Sequence, residues 1–543
     1  MRINLRMTLV LLASFAPSVA LSQGEPQQPF SELTLGQVDF PISCSKPAQR
    51  QFNRAVAILH SFWYEEATKA FTDVTNTDPS CSMGYWGVAM SNWHPMWFPP
   101  TDAELKAGSN AVAKAEALGG GNDRERGYIA AIAAFFHDND KLDNRARAVA
   151  YEKAMEQVFL RYPDDREAAV FYALALNATA SPTDKTYANQ KKAAQILNKI
   201  FIEQPNHPGV AHYLIHSYDS APLAELGLPA AICYAKIAPS VPHALHMPSH
   251  IFTRLGKWQD SIEANRASLA SGEDYALRQY GEGVAWDQSL HAMDYLVYAY
   301  LQLGQDRAAK QVVDEVVAFR KSATQTLPAA YAIAAIPARY AVERRDWAQA
   351  ANLSPPPLTF AWDVFPWTKA MITYARALGA ARTGDVAGAQ AEIGSLQAAH
   401  DAVISRNKYW ADQIEVQVLA ATSMLARAQG RDEEAIALLG QAVDLEASMD
   451  KHPVTPGGIV PARELLGDLL LELNQPARAL MAYEASLGAD PNRFRNVYGA
   501  AKAADRAGEP ARAKGYFGQL ALLARDADTE RPEIVEAKTY LRQ

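Results

Sequence analysis

Paired histidines recur at a fixed spacing in the middle of the sequence. His212 and His216 form one His-x-x-x-His pair, and His246 and His250 form a second pair 34 residues later. Residues four apart on a helix lie on the same face about one turn apart, so each pair presents two imidazoles in one direction. Imidazole is a common protein ligand for copper, zinc and non-haem iron. The spacing therefore predicts a metal site built from neighbouring helices.

Other histidines extend the candidate ligand set. His60 and His94 are also 34 residues apart, and His243 and His291 fall on the same face of the repeat as the two pairs. The sequence leaves open whether His60 and His94 join the main cluster. The full set of candidate metal ligands is His212, His216, His243, His246, His250, His291, His60 and His94.

Three further residues close to these histidines in sequence are candidates for orienting an imidazole, and the two aspartates could instead bind the metal directly. They are Asp219, Asp294 and Tyr213. Ligating histidines commonly donate their second ring N–H to such groups. An exposed carboxylate at a helix end is the alternative interpretation of both aspartates.

Length and charge limit the architecture and the partners. A chain of 543 residues is long for one core, which indicates several domains or a repeat array, and the 34-residue period favours the array. The 52 Lys and Arg against 60 Asp and Glu give a net charge of −8, without a basic block. We therefore expect no nucleic-acid partner.

The first residues resemble a secretory signal. Arg2 and Arg6 precede a short apolar run, and small residues follow it. We predict a signal peptide at 1–22, a flexible leader at 23–44, and a periplasmic or secreted protein without an integral membrane segment after cleavage. A short membrane anchor is the alternative, although Pro17 and the brevity of the run argue against it.

Most of the remaining sequence has the apolar periodicity of amphipathic helices, broken at Gly or Pro every 15 to 20 residues. The clearest unit contains Leu466-Gly467, Asn474, Ala479, Tyr483 and Asp490-Pro491. This unit resembles the tetratricopeptide repeat, and similar units are found over most of residues 45–540.

The resemblance implies an all-α, right-handed α-solenoid of helical hairpins, of the type found in exported bacterial proteins. We divide it into a histidine-rich part at 45–320 and a C-terminal part at 321–543. Four stretches exceed the repeat length and are predicted to be loops or irregular turns, namely 101–147, 181–184, 272–283 and 354–357. Cys44 and Cys81 precede the first and second repeats, so in an exported protein they are predicted to form a disulfide.

In tetratricopeptide proteins the first helix of each repeat lines a concave groove, which implies that the candidate histidines point into one channel. Two functions follow. The first is a metalloprotein containing copper, zinc or iron, acting as a redox enzyme or in metal sequestration. The second is a scaffold that binds a protein, a peptide or a small molecule in the groove. The sequence has no recognised nucleophile motif and leaves enzymatic activity open.

Overall fold

The computed structural model describes residues 33–96 and 98–543. The signal peptide predicted at 1–22 and the first ten residues of the leader lie outside this range. Residues 35–543 form one compact unit, and the predicted boundary between 320 and 321 stays a prediction. A single hydrophobic cluster extends across that position, from Trp258 to Leu358.

Regular structure in the described residues is almost entirely helical. The first helices are α1 (Lys46–His60), α2 (Tyr64–Thr77), α3 (Ser82–Ser91), α4 (Asp102–Leu118), α5 (Asp123–Phe136), α6 (Asn144–Arg161), α7 (Arg166–Thr179), α8 (Ala188–Glu203) and α9 (Pro208–Tyr218). The next are α10 (Ala224–Ile237), α11 (Pro242–His246), α12 (Pro248–Arg254), α13 (Trp258–Tyr280), α14 (Asp287–Gln302), α15 (Asp306–Ala318), α16 (Leu327–Glu343) and α17 (Trp347–Ala351). The last are α18 (Pro366–Thr383), α19 (Val386–Val403), α20 (Lys408–Ala428), α21 (Asp432–Ala447), α22 (Ala462–Glu472), α23 (Pro476–Ala489), α24 (Phe494–Arg506), α25 (Pro510–Leu523) and α26 (Pro532–Tyr540).

The remaining regular elements are small. Strand β1 (Val284–Ala285) pairs in parallel with β2 (Lys321–Ser322), and Thr359 forms an isolated bridge to Lys321. One 3-10 turn covers Trp362–Val364. The two short strands and the 3-10 turn lie in the connections between helices. The all-α class predicted from periodicity is therefore confirmed.

Helices that follow one another along the chain pack together as hairpins. Each hairpin also contacts the next, as in the contacts of α7 with α9 and of α14 with α16. Gly304, with φ of 68°, reverses the chain between α14 and α15. A hairpin cannot bury its apolar face alone, so stacked hairpins produce one continuous core.

The prediction of loops at 101–147 and 272–283 is wrong, whereas 181–184 and 354–357 do lie outside the helices. The first stretch contains α4, α5 and the start of α6, and α13 continues through the second as far as Tyr280. Helix α4 begins with a capping box, in which Thr101 Oγ1 accepts from the Glu104 backbone N–H and the Glu104 carboxylate accepts in return. Such caps satisfy backbone groups that a helix start leaves unpaired, independently of any repeat.

A disulfide joins Cys44, just before α1, to Cys81, just before α3. None of the helices in the described residues has the length and apolar character required to cross a membrane.

Candidate metal centre

Six of the eight predicted ligands come together as two adjacent groups of three, which we name triad I and triad II. Triad I consists of His212, His216 and His243, and triad II consists of His246, His250 and His291. Within each triad, one ring nitrogen from every residue lies within 4.8 Å of the others. The six residues lie on α9, α11, α12 and α14.

The two triads are buried. The six imidazoles are between 0 and 7% exposed. The expectation that they line an open concave groove is therefore wrong, because α10, α13 and α14 pack around them and exclude solvent. The six imidazoles are therefore both candidate metal ligands and part of the packed interior.

Triad II has a geometry that a metal ion would satisfy. The Nε2 atoms of His246 and His250 are 3.0 Å apart. His246 Nδ1–H donates to Asn265 Oδ1 at 2.6 Å, and His250 Nδ1–H donates to Asp219 Oδ2 at 2.9 Å. The Asn265 amide orientation follows from its own N–H donating to the Ser261 carbonyl.

These hydrogen bonds determine the tautomers. A neutral imidazole that donates from Nδ1 has a lone pair on Nε2. Two lone pairs therefore face each other at 3.0 Å in a buried site. Two nitrogen ligands at about 2.0–2.1 Å from one zinc-sized ion would be separated by about 3 Å, so an ion between them converts repulsion into coordination.

Triad I repeats part of this arrangement. His212 Nδ1–H donates to the backbone carbonyl of His60 at 2.6 Å, which leaves Nε2 as an acceptor. That Nε2 lies 3.1 Å from Nε2 of His216. The His243 ring lies 5.0 Å from that of His212 and hydrogen-bonds through Nδ1 to Gln288 Oε1.

Burial keeps the triad histidines in the neutral form that binds metals. It lowers the pKa of His212, His243, His246 and His291 well below the usual value, and neighbouring imidazoles lower it further. The pKa of His216 falls to about 3 for the same reasons. The pKa of His250 is also lowered by burial, although Asp219 partly opposes that effect.

The break between α11 and α12 positions His250. Pro248 has no backbone N–H to continue the first helix, so α11 ends at His246 and α12 starts at Pro248. After the break, the His250 ring lies 5.0 Å from His246 and 5.8 Å from His216 of triad I. The triads are thus neighbours, with imidazoles of one beside those of the other.

Asp219, predicted to orient a histidine, contacts His250. Burial alone would raise the pKa of Asp219, but Lys451 and Arg254 lower it well below its usual range. Asp219 Oδ1 accepts from Arg254 Nε at 2.8 Å and lies 3.3 Å from Lys451 Nζ. The carboxylate therefore stays ionised and accepts a hydrogen bond from the His250 Nδ1–H.

Two of the predicted site residues lie elsewhere. Asp294 forms a buried ion pair with Arg339, with 3.1 Å between Oδ1 and Nε, so its assignment as a partner of a ligating histidine is wrong. His94 Nε2 lies 3.7 Å from Glu104 Oε1, and its ring packs on Tyr64. His94 is in neither triad.

His60 belongs to a different buried cluster, with Glu167 and His207. Glu167 accepts from His60 Nε2 at 2.9 Å and from His207 Nε2 at 2.8 Å, while Tyr213 donates its hydroxyl to His60 Nδ1 at 2.9 Å. His207 Nδ1 accepts from the Val210 N–H. These side chains hydrogen-bond to one another and to Tyr213 and Val210 without an ion. In triad II, by contrast, the Nε2 lone pairs of His246 and His250 face each other.

The Glu167 cluster supports triad I. Burial raises the pKa of Glu167, but His207 and His60 together lower it to about 2, so the carboxylate is charged. This carboxylate fixes His60, whose carbonyl orients His212. The sequence reasoning missed Glu167, which follows no periodicity. His207 lies directly before α9, which it caps, outside the 34-residue spacing of the paired histidines.

A cavity of about 830 Å³ lies beside triad I. His216 is the triad histidine that lines it among the described residues, together with Ser217 and Asp219. Aromatic side chains form much of the remaining wall. The cavity gives access to one ligand of the centre.

The fold and site define an all-α protein of stacked helical hairpins that encloses a histidine centre. Residues 460–493 match the family model described as tetratricopeptide repeat. That match covers the hairpin of α22 and α23, where Gly467 packs against the Tyr483 ring. The hairpin of α22 and α23 thus matches one tetratricopeptide repeat.

Solved structures with similarity to this chain are distant. Human IFIT1 dimers with PPP-AAAA and with m7Gppp-AAAA are each 11% identical, with TM-scores of 0.37 and 0.38. The first match covers 87% of this chain and 89% of that one, and the second covers 82% and 90%. Naa15/Naa10 bound to HypK-THB is 11% identical, with a TM-score of 0.23 and 92% coverage of both chains. The curated proteins contain no match.

Proposed function

We propose that this protein is a metalloprotein in which triads I and II each bind one transition-metal ion. The observation on which the proposal rests is the 3.0 Å approach of His246 Nε2 and His250 Nε2, with both Nδ1 atoms engaged as donors. A buried pair of opposed lone pairs is destabilising, and a cation between them removes that cost.

The ligand set favours copper. Both triads consist of imidazoles, whereas non-haem Fe(II) sites typically include a carboxylate. The ligands are neutral, and Arg254 and Lys451 lie close to triad II through Asp219. A buried site next to two cations accommodates monovalent copper with less electrostatic cost than a divalent ion. Zinc is the main competitor.

Three protein ligands per ion favour a reactive site over a closed structural one. Structural zinc sites use four protein ligands, whereas catalytic sites retain an open position for water or substrate. The cavity beside His216 supplies a route to such a position. We therefore infer a metalloenzyme, with redox chemistry if the metal is copper. The alternative of a protein-binding scaffold rests on the repeat family and is an argument by analogy.

We also propose that the protein is exported. A disulfide between Cys44 and Cys81 supports an oxidising compartment. The signal-like sequence at 1–22 agrees with this location.

Metal analysis of the purified protein tests the metal proposal. The protein is incubated separately with Cu(I), Cu(II), Zn(II) or Fe(II), and excess metal is then removed. We expect two copper ions per chain after incubation with copper. The double variant His216→Ala/His250→Ala removes one ligand from each triad, and we expect it to lose stoichiometric binding. Circular dichroism would verify that the helical content is retained.

A matched control removes two histidines outside the triads. His137 pairs with Glu116 and His400 with Asp401, each at the surface. The variant His137→Ala/His400→Ala should bind as much metal as the wild type. Full metal content in the triad variant, or no metal in the wild type under oxidising and reducing conditions, would leave the scaffold as the better account.

A further inference from the structure

The cavity beside His216 is a binding site in its own right. We propose that it binds a neutral aromatic small molecule with a hydroxyl group, of the phenol class, and presents it to the ion held by triad I. Binding in the cavity is independent of the proposed function, whereas presentation to the ion rests on it.

Size and wall chemistry favour a small aromatic ligand. A volume of about 830 Å³ lies within the range of about 300–1,000 Å³ typical of small-molecule sites. Offset stacking and edge contacts with a ligand ring are available from several walls. The aromatic lining residues are Trp93, Phe98, Phe365, Trp367, Tyr409 and Trp410.

Two of these rings form a preorganised surface. Trp367 and Trp410 lie nearly parallel, with centroids 5.8 Å apart and an interplanar angle of 12°. Tyr409 contacts Trp410 edge-on at 5.1 Å. Rings fixed by one another lose little conformational entropy when a ligand binds, which favours affinity.

Most of the charge in the cavity wall is already paired, and Arg145 in the wall donates to the Thr179 carbonyl at 3.1 Å. Asp219 is neutralised by Lys451 and Arg254, and Asp450 accepts from Lys185 Nζ at 3.1 Å. Lys451 is therefore engaged with a carboxylate and is not an open anchor for an anion. A charged ligand would lose hydration and gain at most Arg145, which already donates to a backbone carbonyl, so the site favours an uncharged molecule.

Unpartnered polar atoms indicate where a ligand hydroxyl would bind. His216 is 7% exposed, lines the cavity, and its Nδ1 has no hydrogen-bond partner among the described residues. Trp367 also lines the cavity, and its Nε1–H is likewise without an acceptor in the described part of the chain. A buried polar atom without a partner is costly. A ligand hydroxyl can accept from the indole N–H or hydrogen-bond to the imidazole Nδ1.

His216 belongs both to the cavity wall and to triad I. A phenol in the cavity would therefore lie one side chain away from the proposed ion. This position defines the substrate class of the proposed metalloenzyme as a neutral phenol.

Calorimetric titration of metal-free protein with 2-naphthol tests the cavity. We expect saturable binding of one molecule per chain, with 2-naphthoate and cyclohexanol at least tenfold weaker. Ala178 lines the cavity on α7, so Ala178→Phe should fill it and weaken binding at least tenfold without removing any packed side chain. Ala398→Phe, at an exposed position of α19, should bind like the wild type.

No saturable binding up to the solubility limit, or unchanged affinity in Ala178→Phe, would overturn the inference. Binding of 2-naphthol by a protein that never binds metal would leave the cavity assignment standing and reject the proposed metal centre. In protein loaded with Cu(II), 2-naphthol should change the copper absorption or electron paramagnetic resonance spectrum. An unchanged spectrum at saturation would reject presentation to the ion.

Discussion

Three imidazoles of the centre have their proton placed by the group that contacts Nδ1. Asn265 and Asp219 do this in triad II, and the His60 carbonyl does it for His212. Because Nδ1 is occupied in each case, Nε2 is available as a ligand. The supporting residues therefore matter for metal affinity almost as much as the ligands.

Replacing Asn265 with Leu should weaken metal binding at triad II by about 10–100-fold, a typical effect of losing an outer-shell partner. Leucine has a similar volume but accepts no hydrogen bond, so His246 loses the acceptor that keeps its proton on Nδ1. Competition with a chelator of known affinity measures the change. The control Asn352→Leu, at an exposed position, should have no effect. Equal affinity in the two variants would mean that the tautomer is not fixed by Asn265.

At the residue scale, spacing predicted the ligands better than their partners. The 34-residue period located His212, His216, His246 and His250 because equivalent positions of stacked repeats face the same way. Asn265 has no such signature, because it reaches His246 from a different helix through one side-chain hydrogen bond. The same reasoning explains why Glu167 was not predicted.

At the scale of elements, the close packing of α1 against α9 sets the position of His60. Gly209 lies in the first turn of α9, and a Cβ added there would be 2.6 Å from His60 Nδ1. A larger residue would displace the imidazole from Glu167 and Tyr213. This glycine is therefore required by close approach between two helices.

Gly209→Ala should destabilise the protein by about 1–3 kcal/mol, the usual cost of overpacking a core. Gly394 provides the control, because a Cβ added at that position of α19 meets nothing within 4 Å. Gly394→Ala should stabilise by about 0.5–1 kcal/mol through helix propensity. Denaturant unfolding of both variants measures the difference. A neutral Gly209→Ala would show that His60 moves without cost.

The sequence predicts that helical hairpins are present, but it predicts their first and last residues less accurately. Periodicity identified the unit at 460–493, which the family model also matches. The prediction of loops at 101–147 is wrong because it assumed one fixed repeat length, whereas the hairpins of this protein differ in length. The cap of α4 by Thr101 and Glu104 is a local signal that identifies this helix start.

At the scale of the whole molecule, buried charges connect residues far apart in sequence. Arg493, which directly precedes α24, donates to Glu343 Oε2 at 2.6 Å and to Glu464 Oε2 at 2.8 Å. All three residues are at most 2% exposed. Removing the guanidinium would leave Glu343 without this ion pair and Glu464 with Arg345 alone, at 3.2 Å.

Arg493→Met should therefore destabilise the fold by about 3–5 kcal/mol. Arg376 pairs with Glu392 at a partly exposed position, and Arg376→Met should cost no more than about 1 kcal/mol. Thermal and denaturant unfolding would compare the two. If both variants lose the same stability, the buried network does not join the hairpins as described.

Contacts of this range could not be predicted from the sequence. The Trp258 indole donates to the Asn492 carbonyl, and Arg531 pairs with Asp306. Which repeats meet depends on small rotations summed over many hairpins, and the sequence specifies each rotation only through side-chain packing. The burial of the triads, in place of an open groove, has the same origin.

Anomalous diffraction from crystals of copper-loaded protein is the most direct test of the metal centre. We expect two anomalous-difference peaks at the copper edge. One should lie about 2.0 Å from ring nitrogens of His212, His216 and His243, and the other at a similar distance from His246, His250 and His291. Absence of a peak at both triads, or a peak confined to the cluster of His60, Glu167 and His207, would contradict this expectation.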